Sequence, residues 1–451
     1  MSGIAVLGAG VCGLVAARDL RVRGHEVLLF EAGPEVGGVI GCENCDGYLL
    51  ETGPNTLALR ADSAALELFA ETDLLKEAVD ANPDADKRFV IRGGKLIPVP
   101  TSPTALLGSG LLSFGAKLRL LLEPLLPRGK NPDETVAAFV KRRLGEEPLD
   151  YMIDPFVSGV YAASPESMVL RHAFPLLAKL ETENRSLILG GMALAKKRKR
   201  SGKPKTRLIS FPDGLRALPQ RLARDLQNCL KTNAPVRKVS RRESGWEVEW
   251  TENEEKKTGS FDAVWCALPA HQLTSIEWEN VESREDLELM AESPYHPVTA
   301  LYHGFRKEDV KHPLDGFGFL VPRKENRCIL GTLFSSTLFA GRAPDGHVLL
   351  TTFVGGERQP DLAVKDDHEL HSLALAELHS LLGLRDDPVF RHLRRWPQAI
   401  PLPDHGQDGR LAAARRVADS NPGLRFTGSH LDGVSLPDCI AGALQLSSSH
   451  G

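Results

Sequence analysis

Gly8, Gly10 and Gly13 stand at the spacing G-x-G-x-x-G, and Glu31 follows them by about 20 residues. The turn comes directly after the apolar run Ile4 to Leu7 and opens a segment rich in Ala and Leu. A second strand pattern, Glu26 to Phe30, then leads into Glu31. In such a unit the first glycine permits the turn, the second lets backbone approach a pyrophosphate and the third lets helix and strand pack closely. The helix N-terminus attracts the anion, and a carboxylate at position 31 would accept hydrogen bonds from ribose hydroxyls. A glycine turn with no ligand is the bland alternative; the complete strand-turn-helix-strand context favours a dinucleotide.

The next residues bear on which dinucleotide. Gly37 and Gly38 follow Glu31, and then comes "DGYLLETGPNTL", residues 46 to 57, with Gly53, Pro54, Asn55 and Thr56 in its second half. This passage reads neither as an amphipathic helix nor as an alternating strand, and it holds one charge, Glu51, in its middle. Residues without bulk and preset turns suit backbone that skirts a long extended ligand, so FAD fits better than NAD. Two further candidates are read as ordinary residues. Cys42 and Cys45 form C-x-x-C, which could be a redox pair or half a zinc site, but no second pair or suitably spaced His follows. His430 could be a base, and is read as a capping or packing residue.

The elements that must position these residues belong to a chain of 451 residues, enough for two or three domains. Apolar residues make up 42% and charged residues 25%, an ordinary globular composition, and a net charge of -4 gives no reason to expect nucleic acid. Seven scattered cysteines suggest no disulfide framework and a reducing compartment. The apolar run starting at residue 4 leaves no room for a leader, and Pro98, Pro100 and Pro103 interrupt the longest charge-free stretch, so no membrane span is expected. The basic run Lys196 to Arg207 is read as a solvated loop. Residues 105 to 130 combine leucines with Lys117, Arg119, Arg128 and Lys130, as an interfacial helix or a buried helical core would.

"GAGVCGL", "EAGPEVGG" and "DGYLLETGPNTL" resemble the N-terminal flavin elements of the class containing amine oxidases and phytoene desaturases. More specifically, "RFVIRGGKLIPVP", "PFVSGVYAASPESM", "GFGFLVP", "LGTLFSSTLFAGRAP", "LLTTFVGG", "RWPQAIP" and "GVSLPDCIAGA" resemble the protoporphyrinogen oxidase family block by block, in order, over nearly the whole chain. The resemblance implies an α/β plus α+β fold. A discontinuous Rossmann-like FAD-binding domain would span residues 1-85, 204-285 and 411-451, a helical membrane-associating domain 96-203, and a mixed substrate-binding domain 86-95 and 286-410. It extends the flavin set to Ala32, Val236, Gly428 and Val434, with a C-terminal helix starting near Pro437.

The same resemblance assigns Arg88 to a substrate propionate, Leu320 and Leu333 to a sandwich around a pyrrole ring, Phe353 to stacking and Gly159 to the pocket wall. Each of these alone would pass for a surface cation or a core residue. The implied reaction takes six electrons from protoporphyrinogen IX, with dioxygen reoxidising the flavin to give hydrogen peroxide. No metal is implied. A peripheral site on the cytoplasmic face of a membrane is expected, and a homodimer is left open. Val39 and Asp432 depart from the family pattern and put local flavin contacts in question. Rival readings are a coproporphyrinogen III oxidase, which would want a second basic group in the slot, an amine oxidase, for whose aromatic cage five Trp and five Tyr are few, and a non-catalytic flavin or porphyrin carrier.

Overall fold

The computed structural model describes residues 3–201 and 206–448. Its first strand, Gly3–Leu7, lies at the centre of a parallel sheet that among these residues has five strands, in the order 230–231, 26–30, 3–7, 263–266, 424–426. Ile4, Ala5 and Val6 are fully buried. A parallel strand covered on both faces reads as a continuous apolar run instead of an alternating one. Ile4, Val6 and Leu29 pack under the helices Val11–Val22 and Leu436–Ser448. Ala5, Leu7 and Phe30 face the antiparallel strands Val236–Arg242, Gly245–Glu252 and Glu255–Phe261, where Trp246 and Trp250 complete the second core.

A second sheet, seven-stranded among the described residues, runs 390–396, 298–306, 347–355, 331–333, 316–320, 87–92, 95–98. Leu301, Phe305, Phe319 and Leu350 face the helix Asp367–Leu382. Alternate residues point the other way, as the twofold period of a strand requires, and Ala300, Tyr302 and Leu349 pack under a hairpin formed by residues 42–51.

Four sequence expectations need correction. The passage "DGYLLETGPNTL" does contain a strand, Tyr48–Glu51, paired with Cys42–Cys45 through Asp46 (φ 51°) and Gly47 (φ 80°), the positive-φ pair of a tight hairpin turn. It shows no alternation because all four strand residues are buried, on both faces. Residues 105 to 130 do not form one helix: two short helices, Pro103–Gly108 and Phe114–Leu121, are separated by a turn that buries Leu111 and Leu112, and the second helix buries none of its side chains. The first part of the basic run Lys196 to Arg207 belongs to the helix Leu187–Ser201 and not to a loop, with Lys196, Lys197, Lys199 and Arg200 exposed; residues 202–205 of that run lie outside the described residues. Finally, the strand Lys95–Pro98 runs into the stretch assigned to the helical middle, because Phe89 to Arg92 pair with it. Pro98 sits on the outer edge of the sheet, where its missing N–H costs no ladder bond.

Candidate active site

The strands 3–7, 26–30, 263–266 and 424–426 all end at one edge of the parallel sheet, where open α/β sheets bind ligands. At that edge Gly8 has φ +93°, and a Cβ on Gly13 would stand 1.9 Å from the Gly8 carbonyl oxygen, so strand end and helix start touch as backbone. A Cβ on Gly10 would meet nothing within 4 Å. The second glycine therefore borders open space and not protein, as a cradle for a pyrophosphate should. Gly38 (φ +61°) comes against the Gly10 backbone from the other side, and Gly37 N–H donates to the Ala9 carbonyl at 2.8 Å.

The Glu31 carboxylate accepts from the backbone N–H groups of Ala9 and Gly33, each at 2.9 Å. That fixes the acid at the rim, and each oxygen keeps a lone pair for a ribose hydroxyl. Beside it, the Ala234 N–H donates to the Glu31 carbonyl and Asn233 to Gly33, both at 2.9 Å, so exposed Ala32 and half-buried Val236 share one rim. Gly53 crosses the 37–41 loop so closely that its Cβ would sit 1.9 Å from the Val39 carbonyl oxygen. Pro54, Asn55 and Thr56 continue from it half-buried, Asn55 Nδ2 turning back to the Gly53 carbonyl at 3.2 Å. On the far side, Gly428 and Val434 bracket the turn before the C-terminal helix, which begins at Leu436, beside Pro437. This backbone-lined path of glycines, acid and helix ends fits FAD.

Two departures find a structural account. Asp432 turns inward and accepts from the Thr427 hydroxyl at 2.6 Å and the Gly428 N–H at 2.8 Å, folding the flavin-side loop, with burial raising its carboxyl above the usual range. Val39 is exposed and its backbone is what Gly53 crosses. His430 is buried, its ring nitrogens make no hydrogen bond among the described residues, and burial, helped by Arg410 and His271, lowers its pKa to about 4. It packs against Gly428, and is neutral near pH 7.

Glu51, the charge in the middle of residues 46 to 57, is part of a buried polar cluster that sequence reasoning left unassigned. Its carboxylate accepts from Cys42 Sγ (2.8 Å), Ser210 Oγ (3.2 Å), the Leu215 N–H (3.0 Å) and Arg342 (3.2 Å). Burial pushes the acid above its usual range, against the pull of those donors. The hairpin is tied to the second sheet as well: Tyr302 Oη donates to the Glu51 carbonyl and Trp396 Nε1 to the Thr52 carbonyl, both at 2.7 Å. A single charge surrounded by apolar and turn residues was the one available signal for this junction.

The five residues assigned to substrate come together across that second sheet. Register places Arg88 beside Gly318, Gly318 beside Leu333 and Leu333 beside Thr351, while the neighbouring row runs Val90, Leu320, Gly331, Phe353. Arg88, Leu320, Leu333 and Phe353 thus lie on one face, one from each of four adjacent strands, spanning about 14 Å at the usual strand spacing. Leu320, Leu333 and Phe353 are half-buried, unlike the residues of the opposite face. Gly159, on the helix Asp154–Tyr161, roofs Leu320: a Cβ there would stand 2.3 Å from Leu320 Cδ2. The exposed Arg88 guanidinium lies 5.1 Å from the Phe317 ring centre and, among the described residues, pairs with no carboxylate; its neighbour Lys87 takes Asp315. Arg92, beyond Val90 on the same strand face, is occupied by Glu147 (3.2 Å) and the Leu111 carbonyl.

Residues 11–446 match the family model described as flavin containing amine oxidoreductase. The mitochondrial protoporphyrinogen oxidase of Nicotiana tabacum is 34% identical, over 97% of this chain and 92% of its own length. Protoporphyrinogen oxidase 2 of Arabidopsis thaliana is 33% identical over 97% and 91%, and the coproporphyrinogen III oxidase of Bacillus subtilis (strain 168) 26% over 97% and 95%. Among solved structures, a provisionally assigned protoporphyrinogen oxidase from Exiguobacterium sp. 255-15 superposes with a TM-score of 0.82 at 23% identity, covering 100% of this chain and 98% of that one. A reduced UDP-galactopyranose mutase follows at 0.74 and 16% identity, covering 100% and 95%. At these identities the structures speak for the fold. Family model, near full-length identity to the plant enzymes and the glycine-lined cradle agree: the chain is an FAD-dependent oxidoreductase that belongs to the flavin-containing amine oxidoreductase family, in its protoporphyrinogen oxidase group.

Proposed function

We propose that this oxidoreductase converts protoporphyrinogen IX to protoporphyrin IX, in porphyrin biosynthesis, with dioxygen as electron acceptor and hydrogen peroxide as its product. The observation that carries the substrate is the row of Arg88, Leu320, Leu333 and Phe353 on one sheet face beneath Gly159. Bound FAD supplies the hydride acceptor. The chain supplies position: Arg88 offers a planar fork to a propionate, Leu320 and Leu333 flank a pyrrole ring, Phe353 stacks, and Gly159 leaves room where a side chain would intrude. Apolar walls keep water from the reacting face.

The two-carboxylate substrate is favoured over the four-carboxylate coproporphyrinogen III because Arg92 is already held by Glu147 and Leu111, leaving Arg88 as the open cation of the 87–92 strand face. The test is porphyrin formation, followed by fluorescence with peroxide measured in parallel, on the two porphyrinogens under identical conditions. Faster turnover of coproporphyrinogen would overturn the assignment; flavin reduction without peroxide in air would overturn the acceptor.

The discontinuous division inferred from the sequence is kept in this reading with one boundary moved, a flavin unit (1-85, 204-285, 411-451) and a substrate unit that now takes in the strand Lys95–Pro98 (86-98, 286-410) meeting at the 42–51 hairpin. The helical unit is read as a peripheral membrane contact. Leu107, Phe114, Leu121 and Leu125 are 60–82% exposed and lie close together in sequence on the two short helices and the turn beyond them. An apolar rim of this kind beside Arg128 and Lys130 suits an anionic lipid surface. No described helix is long and apolar enough to cross a membrane. Co-sedimentation with anionic vesicles, lost in Phe114→Ser with Leu125→Ser, is the expected result; equal binding by the variant would sink the assignment.

A further inference from the structure

The C-x-x-C pair lacks a nearby histidine in sequence, but the fold provides one. On the strand Cys42–Cys45 the two cysteines point to opposite faces, as residues three apart must. Cys42 is buried against Glu51, so the two thiols form no redox pair. Cys45 shares its face with Glu43, and that face meets His392 on the edge strand Phe390–Trp396. His392 Nε2 stands 3.0 Å from Glu43 Oε2, and one donor atom from each of Glu43, Cys45 and His392 lies within 4.8 Å of the others. All three are half-buried and reachable from solvent.

We propose that Glu43, Cys45 and His392 form a binding site for a divalent transition-metal ion of the Zn2+ class, which fastens the 42–51 hairpin to the 390–396 strand. Thiolate, imidazole and carboxylate together favour Zn2+ or Co2+ over Mg2+ and Ca2+, which take oxygen donors. Tetrahedral Zn2+ with bonds of about 2.0–2.3 Å keeps its donors about 3.3–3.8 Å apart. The observed trio needs only small side-chain adjustments to reach that, leaving a fourth position for water. The hairpin is prepositioned without metal, since Tyr48 stacks on Phe390 at 4.4 Å between ring centres and Trp396 holds Thr52. Arg394 opposes the ion: its guanidinium is 3.9 Å from Glu43 Oε1, and it rests on the Trp396 ring. Binding displaces the Cys45 proton, so affinity falls as pH falls.

The test uses the purified full-chain holoenzyme after chelator treatment, titrated with Co2+ and then Zn2+. One equivalent of Co2+ should give a thiolate-to-cobalt charge-transfer band that Zn2+ abolishes, and Zn2+ should raise the melting temperature. Cys45→Ser should remove the band, and Glu43→Gln and His392→Asn should each weaken binding by at least about 10-fold. Arg394→Gln should tighten it. Each variant should retain its flavin and its metal-free melting temperature, which separates loss of a ligand from loss of fold. No charge-transfer band in the wild type, or Zn2+ binding by Cys45→Ser and His392→Asn equal to wild type, would overturn the site.

Discussion

Glu51 and Arg342 lie 291 residues apart in sequence and meet at 3.2 Å, both almost completely buried. Arg342 also donates to Ser210 Oγ (2.7 Å) and the Phe211 carbonyl (3.1 Å), so the pair joins the flavin-side hairpin to segments arriving from two other parts of the chain. Removing one partner strands a buried charge, which costs about 3–5 kcal/mol. Glu51→Ala should therefore lower stability by that order and release flavin on mild heating. Glu51→Gln, which fills the same space and keeps one of the two acceptor oxygens, should lose less. Thermal unfolding followed by flavin fluorescence reads both, and an alanine variant as stable as wild type would refute the junction.

For Arg88 the prediction is one of substrate positioning. Truncation to Ala removes a charge-assisted pair with a propionate, about 1.5–3 kcal/mol or roughly 10- to 200-fold in kcat/KM. Arg88→Lys should recover only part, because an ammonium lacks the planar fork. Flavin content should not change, since Arg88 stands on the substrate sheet and away from the Gly10 cradle. Unaltered kinetics in the alanine variant would return Arg88 to the ordinary surface.

Gly159 tests the roof of the slot. A methyl at this position would stand 2.3 Å from Leu320 Cδ2, so Leu320, one of the two side chains proposed to flank the pyrrole ring, would have to shift. Gly159→Ala should cost about 1–3 kcal/mol, shared between folding and substrate binding. A rise in KM larger than the fall in kcat is expected, with partial rescue by Leu320→Ala. Wild-type KM in the single variant would remove Gly159 from the pocket wall.

The pH dependence follows from His430. Its folded pKa, about 4, lies below the ordinary value of 6.5. Above pH 6.5 the ring is neutral in folded and unfolded chains alike and contributes no slope. Between pH 6.5 and about 4 the unfolded chain binds a proton that the folded one refuses, so stability falls as pH falls, by about 3 kcal/mol in total. Burial lowers His303 as well, adding to the loss in the same direction. Denaturant unfolding from pH 8 to 4 should show this decline, and His430→Gln should flatten part of it; an identical pH profile in the variant would exclude His430 as a source.

The strand, turn and helix around Gly8, Gly10 and Gly13 were legible in the sequence because they depend on neighbours: glycine alone tolerates the positive φ at Gly8 and the backbone contact at Gly13, and a doubly covered strand must be apolar throughout. The hairpin turn at Asp46-Gly47 had a local signal too, hidden because its strand is buried on both faces. Residues 105 to 130 show the opposite failure. Their leucines fit an interface or a core equally by pattern, and only the tertiary packing decided that Leu111 and Leu112 are buried while Leu107, Leu118, Leu121, Leu122 and Leu125 are exposed. The slot was beyond any local reading. Whether Arg88, Leu320, Leu333 and Phe353 share a face depends on strand register, and shifting one strand by a single residue would turn its side chain to the opposite face. Contacts such as Glu51 with Arg342 and Cys45 with His392 arise for the same reason, since pairing between strands far apart in the chain is decided by burial of whole faces and leaves no trace in the spacing of the residues it joins.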